Sequence, residues 1–221
     1  MSKRASEVGW SEAAGSGGRP DGARCLGRRF GDGAALCAVA DSEHAAISDA
    51  ALEALYQHLV AERTLDTGRH RASAVAVGQA LTQRGPGARA SMAWALVGSD
   101  EDGVIALFGW LGICRVGRIR EGTLIWLTRD HSLAEQMVRE ERLTPLEAVD
   151  HPCRKVLVRS FGADAEAEVV RLDPQPGDVL VLATDGVYDA LAEAQIALLA
   201  AGGAEALVEA ARGGAAVLVH L

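Results

Sequence analysis

The sequence predicts an α+β fold of two packed antiparallel β-sheets flanked by pairs of helices, and three observations carry that prediction. Short apolar segments bounded by Gly, Asp and Ser come in runs instead of alternating singly with helices. Helical periodicity is confined to paired blocks. The chain has 221 residues, 49% apolar and 24% charged, enough for one sizeable core and too ordinary a mixture for a disordered or fibrous protein.

Residues 1–20 carry Gly15, Gly17, Gly18 and Pro20 among Ser and Ala and read as a flexible lead-in, with one domain expected over 21–221. Strands are expected at 23–29 and 34–40, joined by Phe30-Gly31-Asp32-Gly33, whose Asp-Gly chemistry suits a hairpin turn. Ile47, Ala51, Leu55 and Leu59 recur every four positions, with Leu52 and Tyr56 widening the stripe, which predicts a helix over 45–63. A second, alanine-rich helix runs over 69–83 and stops at Gly85-Pro86-Gly87. The period then changes, and 91–97, 103–109, 112–118 and 123–127 read as successive strands.

Ser132 caps a short helix bearing Leu133 and Met137, and Thr144-Pro145-Leu146-Glu147 is a capping box with proline at the first helical position. Strands follow at 156–160 and 166–172. Pro176-Gly177-Asp178 turns the chain into 179–183, an aliphatic run of the kind buried on both faces. Two Ala/Leu helices and a strand over 215–221 complete the pattern.

Charge narrows the function classes. The 22 Lys plus Arg against 30 Asp plus Glu give a net charge near −8, the wrong sign for a nucleic-acid backbone binder. Only Lys3 and Lys155 are lysines, and with 3 Phe and 2 Tyr the core must be built from small aliphatics. Cys25, Cys37, Cys114 and Cys153 form no C-x-x-C pair, so reduced buried thiols are expected in place of a zinc or redox motif. No signal-peptide run follows Lys3-Arg4, and no apolar stretch reaches the roughly 18 residues of a membrane span. A soluble cytoplasmic protein with no membrane partner is the expectation.

Chemistry is sought where acids interrupt apolar strands. Asp185, in Thr184-Asp185-Gly186, ends the most hydrophobic strand, and Asp41 ends the strand before Ser42. A carboxylate leaving a buried strand is costly to desolvate and is stabilised by a cation, so two of them can converge on one hard metal. Helix capping is the plainer role for both, and spacing alone favours it.

Several motifs then occur in order: Leu127-Thr128 with Asp130-His131-Ser132, Leu143-Thr144, His151-Pro152, Arg159 with Gly162, Pro176-Gly177-Asp178 and Thr184-Asp185-Gly186. Together they resemble the C-terminal half of the type 2C (PPM-type) metal-dependent serine/threonine protein phosphatases. Upstream, 36–41 resembles that family's strand leading to its Asp-Gly motif, and 89–97 the strand that opens with Gly-Thr-Thr. The resemblance runs from about Arg19 onward.

It implies a two-sheet sandwich, two Mg²⁺ or Mn²⁺ ions bridged by aspartate, and a metal-activated water attacking phosphoserine or phosphothreonine. Asp41 takes the bridging position and Asp185 the C-terminal one, as metal-binding and catalytic residues. Arg19 is the implied phosphate clamp and Asp21 an acidic contributor, with Asp32 a competitor that the hairpin turn already uses. Ser42 replaces the glycine after the bridging aspartate and still offers a carbonyl as a metal ligand.

The departures matter as much. Glu43-His44-Ala45-Ala46 replaces a Gly-rich loop, Gly112-Ile113-Cys114-Arg115 stands for Gly-Asp-Ser-Arg, and Gly213-Gly214 for the final Asp-Asn. Fewer anionic ligands mean weaker metal binding, with one ion held or none. Two functions fit. One is an impaired phosphatase opposing a bacterial kinase, with water or Glu43 completing the site. The other is a pseudophosphatase that binds a phosphoprotein or regulator without turnover. The sequence assigns His131 to the start of the Ser132-capped helix, His44 to solvent, 139–142 to a solvated helix face, and Arg28 and Arg29 to an exposed hairpin.

Overall fold

The computed structural model describes residues 8–15, 22–29, 34–62, 67–85, 87–99, 104–163 and 165–221. Arg19, Asp21 and the expected hairpin turn with Asp32 lie outside the described residues. Among those described, ten strands form two five-stranded antiparallel sheets. The first has the order β1 (Gly9–Gly15), β10 (Gly214–His220), β9 (Val179–Ala183), β6 (Arg115–Arg120) and β7 (Thr123–Trp126). The second has β2 (Arg24–Arg29), β3 (Ala35–Asp41), β4 (Ser91–Ser99), β5 (Val104–Leu111) and β8 (Glu168–Leu172).

The aliphatic strands are buried on both faces because each sheet packs on its partner and on helices. In β3, Ala35, Cys37 and Val39 face the other sheet, while Leu36, Ala38 and Ala40 face α1 (Ala45–Glu62) and α2 (Thr67–Thr82). In β9 the same alternation sends Leu180 and Leu182 between the sheets. Val181 and Ala183 point toward α5 (Asp185–Tyr188), α6 (Glu193–Leu199) and α7 (Ala204–Ala211). Two short helices, α3 (Leu133–Arg139) and α4 (Pro145–Val149), lie between β7 and β8 in the chain. Ser132 caps the first by accepting from Glu135 N–H, and Thr144 with Glu147 forms the expected capping box on the second.

Two expectations are corrected. The 1–20 lead-in contains β1, which pairs with β10 from Gly9–His220 to Gly15–Gly214. Its small residues carry no hydrophobic alternation, and backbone pairing holds it at the sheet edge. Arg29, exposed as expected, donates to Val8 C=O and lies 4.9 Å over the Trp10 ring. The strand expected at 156–160 is replaced by a 3-10 turn, Pro152–Lys155, and by an isolated bridge between Ser132 and Leu157. Val156 and Val158 are exposed, so that apolar run has no sheet to enter.

Candidate active site

The Asp41 side is assembled first by the sheet. Asp41 is the last residue of β3 and pairs with Ser91 of β4. Ser91 Oγ accepts from Ile113 N–H at 3.2 Å, which stitches the 112–115 loop beside the Asp41 strand end. Gly112 has φ +99°, and a Cβ there would lie 2.8 Å from Ser91 Cα, so this close turn requires glycine. Cys114 is fully buried behind the loop. Burial pushes its thiol well above its ordinary pKa, and the Asp41, Asp185 and Asp130 carboxylates act in the same direction. Asp41 and Asp185, at the ends of strands in different sheets, thus both act electrostatically on this one buried thiol.

Ser42 and the stretch before β2 meet at the backbone. A methyl group on Gly22 would overlap the Ser42 carbonyl oxygen, so that carbonyl faces Gly22. The Ser42 hydroxyl donates to His44 C=O at 2.7 Å and shares a 2.8 Å bond with Ser48, serving the entry to α1. Glu43 and His44 are exposed. Arg19 and Asp21, expected as phosphate clamp and acidic ligand, lie outside the described residues.

On the other side, Thr184 locks β9 to β10: its N–H donates to Ala215 C=O at 3.0 Å, and its Oγ1 accepts from Ala215 N–H at 2.9 Å. Thr184 is the N-cap of α5 and makes no side-chain capping bond, while Asp185 is the first helical residue. Asp185 is thus not the N-cap itself, although it stands in the first turn of α5, where an acid suits the helix N-terminus. Its carboxylate accepts from Lys155 Nζ at 2.7 Å, and the same ammonium lies 2.9 Å from Asp189. Burial acts to lower the Lys155 pKa, but the bonds to Asp185 and Asp189 outweigh it and raise the value. Arg154 pairs with Asp189 as well.

Lys155 is the site residue that sequence reasoning missed. Its signal was a basic Arg154-Lys155 pair just after His151-Pro152, in a chain with only one other lysine. Nothing local showed that it would meet an acid 30 positions on.

A third cation is tied to the same cluster. Arg115 donates to both oxygens of Asp130, at 2.8 and 2.7 Å, and its guanidinium lies 3.9 Å over the Tyr188 ring. Tyr188 O–H donates to Ile113 C=O at 2.7 Å. His131 is buried beside the loop: Nδ1 accepts from Gly112 N–H, which leaves Nε2 to donate to Glu168 at 2.9 Å. It stacks on Trp110, with centroids 5.9 Å apart. A cavity of about 410 Å³ opens next to the cluster, lined in part by Arg115, Trp126, Asp130, Val149 and Tyr188.

Oxygen-ligated divalent ions need several convergent hard donors. Among the described residues, no group of three or more His, Cys, Asp or Glu side chains is placed to hold a metal. Asp185 is engaged by Lys155, the 113 position is isoleucine, and Gly213-Gly214 brings backbone where the resemblance implies a carboxylate. The described residues do not fit a two-metal site.

The two-sheet sandwich, with carboxylates gathered where β3 and β9 end, defines the phosphatase 2C-like class of fold. No protein-family profile matches the chain. Over 94 residues it is 33% identical to a putative protein phosphatase 2C-type of Streptococcus pyogenes, a stretch covering 41% of this chain and 38% of that relative. The match thus spans under two fifths of the relative's length.

The serine/threonine phosphatase of S. agalactiae superposes with TM-score 0.79 at 21% identity, covering 97% of this chain and 99% of that one. The PPM Ser-Thr phosphatase MsPP from Mycobacterium smegmatis gives 0.72 at 26% identity, with 96% of each chain covered. The catalytic domain of the phosphatase PstP, in complex with two manganese ions, gives 0.69 at 22% identity, covering 96% and 97%. Over those 94 residues by sequence, and along nearly its whole length by fold, the chain is similar to the bacterial PPM, or type 2C, serine/threonine phosphatase family.

Proposed function

We propose that this chain is a catalytically silent member of that family, a pseudophosphatase that binds a serine/threonine phosphoprotein or its kinase without hydrolysing phosphate. The pairing of Lys155 with Asp185 carries this reading. One of the two retained strand-end carboxylates is already neutralised, and hydrolysis by metal-activated water needs those carboxylates for metal. The cluster also opposes four carboxylates, Asp41, Asp130, Asp185 and Asp189, with three cations, Arg115, Arg154 and Lys155. Without divalent ions it does not attract a free phosphate group, so partner recognition rests on the surrounding surface. Leu146 and Val149 of α4, 82% and 58% exposed near the cavity, supply apolar contact area.

A weak metal-dependent phosphatase is the second reading, favoured by the retention of Asp41 and Asp185 around Cys114. Among the described residues no helix is long and apolar enough to cross a membrane, and the four cysteines are free, which suits a cytoplasmic setting. Hydrolysis of a phosphothreonine peptide at millimolar Mn²⁺ separates the two readings. A silent protein gives the same rate as Asp41→Ala, whereas Mn²⁺-dependent turnover that disappears in Asp41→Ala overturns the proposal.

A further inference from the structure

The 185 and 189 positions are one helical turn apart, so both carboxylates point to the same side of α5. Lys155 Nζ sits between them, 2.7 Å from Asp185 and 2.9 Å from Asp189, using two of its three donors. The lysine is delivered by a fixed turn. Pro152 opens it, His151 Nδ1 accepts from Cys153 N–H, and Val156 N–H returns to Cys153 C=O. Leu133 N–H then bonds Val156 C=O, which ties the turn to α3. In a chain with 20 arginines, this position holds one of two lysines. The side-chain chemistry explains the difference: a guanidinium fork matches one carboxylate, whereas a compact ammonium can bridge two.

We infer that the Lys155 ammonium is the built-in cation of this site, bridging Asp185 and Asp189 in place of a divalent ion. The carboxylates are then neutralised by the chain itself, independently of metal supply. Asp185 is only 15% exposed, so a divalent ion would have to displace the ammonium or share a poorly solvated carboxylate with it, against repulsion at close range. The inference rests on the same Lys155–Asp185 pairing as the proposed function and concerns cation occupancy, which is read separately from hydrolysis.

Calorimetric titration of Mn²⁺ into the full chain tests it without reading activity. The native chain is expected to show no saturable site below about 1 mM. Lys155→Met is expected to gain a site at least about tenfold tighter, and Lys155→Met with Asp185→Asn to lose it again. Equal affinity in the native chain and Lys155→Met, or no gain in Lys155→Met, overturns the inference. Should Lys155→Met not fold, the native chain still decides: its thermal midpoint is expected to be unmoved by millimolar Mn²⁺. A Mn²⁺-dependent rise that is absent in Asp185→Asn would overturn it.

Discussion

A methyl group on Gly186 would lie 2.8 Å from the Cα of Gly214, so the turn after Asp185 and the start of β10 touch backbone to backbone. Gly214 itself has φ +87°, and a Cβ there would sit 3.0 Å from Gly186 C, Thr184 Oγ1 and Val187 N. Rebuilding an Asp-Asn pair at 213–214 would therefore collide with the frame that holds Asp185. Gly214→Asn is expected to destabilise the fold by about 2 kcal/mol or more through strain and overpacking, and Gly186→Ala by about 1–3 kcal/mol. Urea denaturation measures both. A neutral Gly214→Asn would mean that this turn can open to accept the missing ligand.

The Arg115–Asp130 pair is expected to matter more for stability than an exposed ion pair. It is bidentate, Asp130 is 14% and Arg115 27% exposed, and the guanidinium also covers Tyr188. Asp130→Ala leaves that cation poorly solvated and is expected to cost about 1–3 kcal/mol. Arg115→Lys keeps the charge but loses the fork and the flat contact with the ring, so it is expected to recover less than half of the stability lost in Arg115→Ala. Chemical denaturation of the three variants checks the ranking.

The fold was largely legible because β3, β4, β9 and β10 are mostly apolar runs buried on both faces, a pattern that only a doubly covered sheet buries. Asp41 and Asp185 were legible as strand ends for the same reason, since each marks where such a run stops. β1 was hidden because a strand of Gly, Ala and Ser around Trp10 is held by backbone bonds to β10, which leave no trace in side-chain periodicity. The 156–160 error has the opposite cause: valines read as a buried strand although Pro152 starts a turn that leaves them exposed. Lys155 escaped notice because a salt bridge between 155 and 185 depends on the packing of α5 against a distant turn.

Stability is expected to fall with acid through His131. Burial lowers its pKa from the ordinary value near 6.5, the Arg159 cation acts the same way, and the Glu168 hydrogen bond only partly opposes them. The folded state therefore holds the neutral ring where the unfolded chain binds a proton. This contribution is complete above about pH 6.5 and is lost as pH falls through the lower folded value, at up to about 1.4 kcal/mol per pH unit for one proton. Glu168, itself held below the ordinary carboxylate range by His131 and Arg159 despite burial, adds a further loss at still lower pH. Urea midpoints between pH 7.5 and 5 should show the slope, and His131→Gln should flatten it. An unchanged slope in that variant would assign the acid sensitivity elsewhere.

Thiol reactivity provides the last check on how the site is packed. Burial pushes Cys25 up to about 11 and Cys37 up to about 12, so at pH 8 about one thousandth or less of either is thiolate. Cys114 is raised as well, by burial and by the three surrounding aspartates. Cys153 is half-buried on the turn that carries Lys155. Brief alkylation of the native protein at pH 8 is expected to label Cys153 alone, and all four cysteines in urea, as read by peptide mass mapping. Labelling of Cys114 on the same time scale as Cys153 would mean that the 112–115 loop opens freely, and a loop that opens freely cannot hold Asp41 and Asp185 around one buried thiol.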